Sequence, residues 1–148
     1  MKFLILLLAV LPVVFTGCNR AAAKSTVAEP APAAVYKAQR GMQFSPVATQ
    51  TMGIQAGDVT ARDVLAAKGV AAVPSEALVR TVKGDFVYVA NGGWFLRTPV
   101  KLGANDGKWA EIKEGLYEGD SVVMYGARAV WLAELQAVNG GVGCADGH

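Results

Sequence analysis

The stretch Gly84-Asp85-Phe86-Val87-Tyr88-Val89-Ala90-Asn91-Gly92-Gly93-Trp94-Phe95-Leu96-Arg97-Thr98-Pro99-Val100-Lys101-Leu102 decides the fold. β-branched and aromatic residues fill two runs. Between them lies Asn91-Gly92-Gly93, and Asn and Gly are the residues that accept the positive φ of a tight hairpin. Successive side chains of a strand alternate between faces, so Phe86, Tyr88 and Ala90 share one face and Val87 and Val89 the other. Both faces are apolar, which predicts a strand covered on both sides.

The same punctuation continues outward in both directions. On the N-terminal side, Lys83-Gly84-Asp85 separates residues 77–82 from 86–90 as a second hairpin, and Pro74-Ser75 breaks the run before it. Residues 54–60 and 63–73 read as extended segments, the second carrying Gly69, a position suited to a bulge. Ser45 is placed to cap a short helical turn over 46–52, with Pro46 at its first position and Gly53 ending it. On the C-terminal side, Asn105-Asp106-Gly107 makes a third turn, and residues 108–113 alternate with Trp109 opposite Ala110 and Ile112. The stretch Gly115-Leu116-Tyr117-Glu118-Gly119-Asp120 then leads to a strand over 121–125. Residues 127–137 follow helical spacing and are expected to lay Val130, Trp131, Leu135 and Val138 on the sheet. The fold class is therefore mainly β: a small antiparallel β-roll or barrel-like domain over 41–138, with a short N-terminal helical turn and a C-terminal helix.

The two ends differ from this domain. Lys2 precedes an unbroken apolar run, Phe3 to Phe15, and then Thr16, Gly17 and Cys18. A run of about 13 residues is too short for a bilayer span, which needs about 20, so residues 1–17 read as a signal peptide. Phe15-Thr16-Gly17-Cys18 resembles a bacterial lipobox, which makes Cys18 the expected lipidation site. Phe15 stands where Leu is usual, so cleavage that leaves a free thiol is the alternative. Residues 18–40 are rich in Ala and Pro without apolar period and are expected to be a tether, reaching up to about 70 Å at roughly 3.5 Å per residue. Residues 139–148 form a Gly-rich tail, expected to be flexible.

Composition narrows the function classes. The 14 Lys and Arg against 12 Asp and Glu are scattered singly, so no basic block points to nucleic acid. The only histidine is His148, and no Ser, Thr or Cys sits in a nucleophile setting, so the chain is not expected to be an enzyme. Glu111, Glu114, Glu118 and Asp120 fall at turns and strand ends, where structural roles are expected. Cys144 and His148, near Asp146 and the terminal carboxylate, pair soft sulfur with imidazole and are the candidate ligands for Cu(I), Ag(I) or Zn(II). An unpaired Cys144 in an oxidising compartment is equally suited to an intermolecular disulfide. Trp94, Phe95 and Tyr117 are the candidate docking patch, because aromatic residues are enriched where proteins dock and Trp94 leaves a turn.

Two stretches resemble the periplasmic adaptor, or membrane fusion, proteins of RND efflux systems, most closely their heavy-metal branch. The first contains Phe44-Ser45-Pro46, Met52-Gly53-Ile54, Val59, Val64 and Gly69-Val70. The second contains Val73-Pro74-Ser75-Glu76-Ala77-Leu78-Val79, Phe86-Val87-Tyr88-Val89, Arg97-Thr98-Pro99-Val100-Lys101-Leu102-Gly103, Glu111-Ile112, Gly115 to Val123 and Gly126. The order over nearly the whole domain is what makes the likeness specific. Between the motifs that stand here as Gly69-Val70 and Val73-Pro74, full-length adaptors insert the lipoyl-like domain, an α-helical hairpin and most of a β-barrel, whereas here the join is a few residues. The resemblance thus implies the membrane-proximal domain alone, and with it a lipid-anchored periplasmic accessory protein that docks on an RND transporter or a full-length adaptor. The alternative is a periplasmic metal-binding or metal-transfer protein acting through the Cys144/His148 tail.

Overall fold

The computed structural model describes residues 32–140. In chain order these form β1 (Ala34–Lys37), β2 (Gly41–Phe44), α1 (Pro46–Thr51), β3 (Gln55–Asp58), β4 (Thr60–Val64) and β5 (Ala67–Pro74). A 3-10 turn (Ser75–Ala77), β6 (Val79–Thr81), β7 (Gly84–Asn91), β8 (Trp94–Asn105), β9 (Trp109–Glu114), β10 (Ser121–Tyr125) and α2 (Ala127–Val138) follow. The strands make one curled antiparallel half-barrel in the order β3-β10-β7-β8-β9-β5-β4, with β2 also pairing β8, β1 pairing β2, and β6 pairing β7.

The β7–β8 hairpin is the centre of this sheet, in register from Asp85 opposite Val100 to Asn91 opposite Trp94. Gly92 and Gly93 supply its turn at φ 56° and 79°, as the Asn-Gly-Gly sequence predicts. Register shifts around Leu102 bend the long β8, so its first half pairs with β7 and β2 and its second half with β9. That bend curls the sheet.

Alternation then divides the core in two. Tyr88 of β7 and Val123 of β10 join Met42, Phe44, Ile54, Phe95 and Val130 on the face covered by α2 and β2. Their neighbours Val87 and Val122 turn the other way and pack with Val59, Val73, Val100, Ile112 and Leu116 inside the curl. The sheet is covered on both faces, as the apolar content of both faces of residues 86–90 predicts. Each fully buried Val contributes roughly 1.5–3 kcal/mol relative to exposure.

Ser45 caps α1 as expected: its Oγ accepts from the amide of Ala48 at 3.2 Å, and Gly53 leaves the helix at φ 63°. The extended segment expected over 63–73 is corrected, because the chain reverses at Leu65-Ala66 and the paired strands are β4 and β5. No Gly or Asn marks that reversal; Leu65 itself adopts φ 53°. Gly69 does sit in a bulge: Arg62 pairs with Val70 and Val64 with Ala67, so Asp63 faces two residues, and its carboxylate accepts from the Gly69 amide at 3.0 Å. The Gly69 amide, with Lys68 second, holds the Asp63 carboxyl below its ordinary pKa.

Leu65 is 63% exposed and held where an L-residue is strained by about 1–2 kcal/mol. Leu65→Gly relieves this strain against a smaller entropic cost of the unfolded chain, so a rise in the thermal midpoint of about 3–6 °C is expected by calorimetry. A fall would mean that Leu65 makes stabilising contacts its exposure does not suggest.

Two boundaries differ from expectation. Ala34–Lys37, inside the 18–40 stretch expected to be tether, forms a strand that pairs with Gly41–Phe44 and places Tyr36 against the core. The Ala-rich composition concealed it. The register of α2 is also corrected. Its buried residues are Ala127, Val130 and Glu134, whereas Leu135 is half-buried and Val138 is exposed. Small residues Ala127, Ala133 and Ala137 let the helix approach the sheet, and Glu134 turns inward because it has partners there. Tyr88 and Arg97 are cross-strand neighbours of β7 and β8; the Tyr88 hydroxyl donates to Glu134 Oε2, and Arg97 Nε lies 3.5 Å from the same oxygen. Arg97 also stacks over Phe86, 5.1 Å from the ring centroid. No described helix is long and apolar enough to cross a membrane.

Candidate docking surface

The three candidate aromatics do not form one patch. Trp94 and Phe95 are adjacent on β8 and therefore face opposite ways, yet both are buried, at 7% and 8% exposure. Phe95 enters the core beside Phe44, with ring centroids 5.9 Å apart. The exposure expected for Trp94 is corrected because the β1–β2 hairpin covers it: Gln43 pairs with Trp94, and Lys37 and Arg40 lie 5.3 Å and 4.6 Å from its ring centroid. A turn exit is open only when nothing pairs beside it; here β2 does, and Lys37 and Arg40 reach the ring from residues whose composition reads as tether.

Tyr117 is different, at 81% exposure. Its neighbour Leu116 is buried in the inner core, so Tyr117 projects outward. The turn that carries it is fixed at both ends. Asp120 Oδ2 accepts from the Tyr117 amide at 2.7 Å, the Asp120 amide donates to the Tyr117 carbonyl, and Val59 bonds with both Gly119 and Asp120 through the backbone. A rigid turn presenting an exposed aromatic ring loses little entropy on binding.

Glu111, Glu114 and Asp120 make structural contacts, as their positions implied. Glu111 Oε2 accepts from the Ala104 amide at 2.7 Å beside the β8 bend, and Glu114 pairs with Lys101 at 2.7 Å with both side chains solvated. Asp106 accepts from the amides of Trp109 and Lys108, which keeps its carboxyl below the ordinary carboxylate range. Trp109 lies beneath Arg62, whose guanidinium carbon is 3.9 Å from the ring centroid. Among the described residues no group of three or more His, Cys, Asp or Glu side chains is placed to hold a metal. Cys18, Cys144 and His148 lie outside the described residues, as do residues 1–17, read from sequence as a signal peptide.

The domain is thus a curled half-barrel backed by one helix, with Tyr117 exposed on a hydrogen-bonded turn. Residues 70–131 match a protein-family profile described as YknX, C-terminal permuted SH3-like domain. No curated protein matches the chain significantly. Among solved structures, a match is found to an NMR structure of a 180-residue piece of SilB from Cupriavidus metallidurans CH34 that encompasses its N-terminal metal-binding site and membrane proximal domain. The identity is 30%, the TM-score 0.41, and the alignment covers 68% of this chain and 59% of that one. From β5 into α2 the chain is thus similar to the C-terminal permuted SH3-like domain that this profile describes.

Proposed function

We propose that the protein is a lipid-anchored, periplasmic, non-catalytic accessory of an RND-type efflux system, of the heavy-metal kind, acting by docking on the transporter or on its full-length adaptor. The observation that carries this reading is the family match over residues 70–131, within a domain whose strands follow the ordered motifs of the resemblance. Cys18 is the proposed anchor and residues 18–33 the tether that lets the domain stand off the bilayer. Residues 71–72, which stand where the resemblance has full-length adaptors insert their further domains, run continuously through β5 here, Ala72 and Val73 pairing with Glu111 and Ala110 of β9. That favours an accessory over a conduit-forming subunit.

The test is in-cell cross-linking of an affinity-tagged form, with mass spectrometry of what the membrane fraction yields. Capture of an RND transporter or its adaptor, with cross-links between residues 41 and 138, supports the reading, and their absence removes it. Tyr117 is the proposed contact residue. Tyr117→Ser is expected to leave stability within about 0.5 kcal/mol of wild type, as for most surface positions. Capture should fall about tenfold, the loss for removing an interface aromatic worth about 1.4 kcal/mol. Unchanged capture would exclude this turn from the interface.

A further inference from the structure

A groove of about 740 Å³ lies between the 3-10 turn, β6, the β8–β9 turn and the first half of α2. Its lining is one-sided in chemistry. Arg80 and Arg128 reach it from β6 and α2, both exposed and neither in an ion pair among the described residues. Trp131 contributes an indole, whose only polar function is an N–H donor. Asn105 already uses its carbonyl oxygen to accept from the Gly107 amide, which leaves its NH₂ to donate. Ser75 Oγ is buried at the edge without a hydrogen-bond partner among the described residues. Leu78 and Trp131 supply apolar surface.

Among the described residues no carboxylate lines the groove. Asp106 in the adjoining turn is engaged by its own backbone amides, and Glu134, one turn further along α2, faces Tyr88. The first turn of α2 has no acidic residue to offset the positive end of the helix. The volume is several times that of a simple oxyanion and falls within the range of sites that take an extended ligand.

We propose that this groove is a docking site for an acidic peptide segment of a partner protein, its carboxylates on Arg80 and Arg128 and an apolar side chain against Leu78 and Trp131. Two guanidinium groups select carboxylates by paired, charge-assisted hydrogen bonds, and the indole that shares the groove selects against a purely polar ligand. The proposal deepens the docking reading and rests on it for the partner's existence. It is distinct from the Tyr117 turn.

The experiment is an NMR titration of the isotope-labelled full chain with acetyl-Asp-Glu-Leu-Asp-Leu-Glu-amide, following the Trp131 indole N–H and the backbone amides of Ser75 and Arg80. Saturable shifts at these positions are expected, weakening as salt rises. The Lys-for-acid counterpart peptide should produce none. Arg80→Glu with Arg128→Glu should weaken binding at least tenfold while keeping the thermal midpoint, since both side chains are solvated. Absence of shifts, equal response to the basic peptide, or indifference to the double reversal overturns the proposal. Saturation by sodium sulfate at the same concentration would assign the groove to a small anion instead. Movement of the same resonances on deleting residues 141–148 would make the chain's own tail the occupant, which also overturns it. The two readings fail separately: peptide binding with an empty cellular capture keeps the groove and removes the efflux partner, and transporter capture unaffected by the double reversal does the opposite.

Discussion

Glu134→Ala is expected to lower the unfolding free energy by about 3 kcal/mol, the low end of the range for breaking a buried, hydrogen-bonded charge cluster. Two groups lose their partner at once. The Tyr88 hydroxyl is wholly buried and left with no acceptor, which alone costs about 1–3 kcal/mol. Arg97 is about one-third exposed, so solvent meets part of its loss and the total stays at the lower bound. Glu134→Gln keeps an acceptor for Tyr88 and removes the charge facing Arg97, so it should restore about half of the loss. Urea denaturation of the three proteins reads the series. Equal loss in the Ala and Gln variants would mean that charge, not the Tyr88 hydrogen bond, seats the helix.

The same cluster sets an alkaline limit. Burial chiefly, and then the hydrogen bond and charge of Glu134, push the Tyr88 hydroxyl above its ordinary value of 10.0, with Arg97 acting in the opposite sense. Below that value Tyr88 is protonated whether folded or unfolded, and its contribution is fully present. Above it the unfolded side chain ionises and the folded one does not. Stability therefore falls by about 1.4 kcal/mol per pH unit from this group. Tyr88→Phe should be less stable at neutral pH yet lack that slope. Glu134→Ala should keep most of it, because burial is the larger cause.

How far the sequence reveals this molecule depends on which signals are local. Asn91-Gly92-Gly93, Ser45-Pro46 and Asn105-Asp106-Gly107 carry their own geometry, so the β7–β8 hairpin, α1 and the β8–β9 turn are legible residue by residue. The alternation of Phe86 to Ala90 likewise reports both core faces. The reversal at Leu65 is not legible, because surrounding strands impose a φ that leucine does not announce. Nor is the seat of α2: Glu134 is drawn inward by Tyr88, which lies 46 residues away in sequence, and no helical period reports an acceptor needed by a distant hydroxyl. The candidate site is subject to the same non-locality. Tyr117 projects because Leu116 is anchored, a local cause, whereas Trp94 is covered by residues whose composition reads as tether. Arg80 and Arg128 come together only through the packing of α2 on β6.

That covering hairpin depends on one position, and Gly41→Ala is expected to cost about 3 kcal/mol or more. Gly41 adopts φ 81°, a conformation that strains an L-residue by about 1–2 kcal/mol. A Cβ there would also collide with the Phe95 carbonyl oxygen and come within 2.9 Å of the Leu96 Cα. Those are backbone atoms of the central strand, which cannot turn aside as a side chain would. Overpacking of this kind adds about 1–3 kcal/mol. The relevant comparison is Gly53→Ala, because Gly53 has φ 63° but no described atom within 4 Å of the added carbon. It should lose only the conformational part. For a domain of about 100 residues, at roughly 4–8 °C per kcal/mol, the midpoint should fall by about 15 °C for Gly41→Ala and by about 5–10 °C for Gly53→Ala. Met42 and Phe44 follow Gly41 into the core, so the loss is global rather than confined to the hairpin. If the domain survives at lower temperature with β2 displaced, Lys37 and Arg40 leave Trp94 and its fluorescence shifts to the red. Equal losses at the two glycines would mean that β2 relaxes away from β8 freely, and that the close approach at Phe95 does not hold the N-terminal hairpin to the domain.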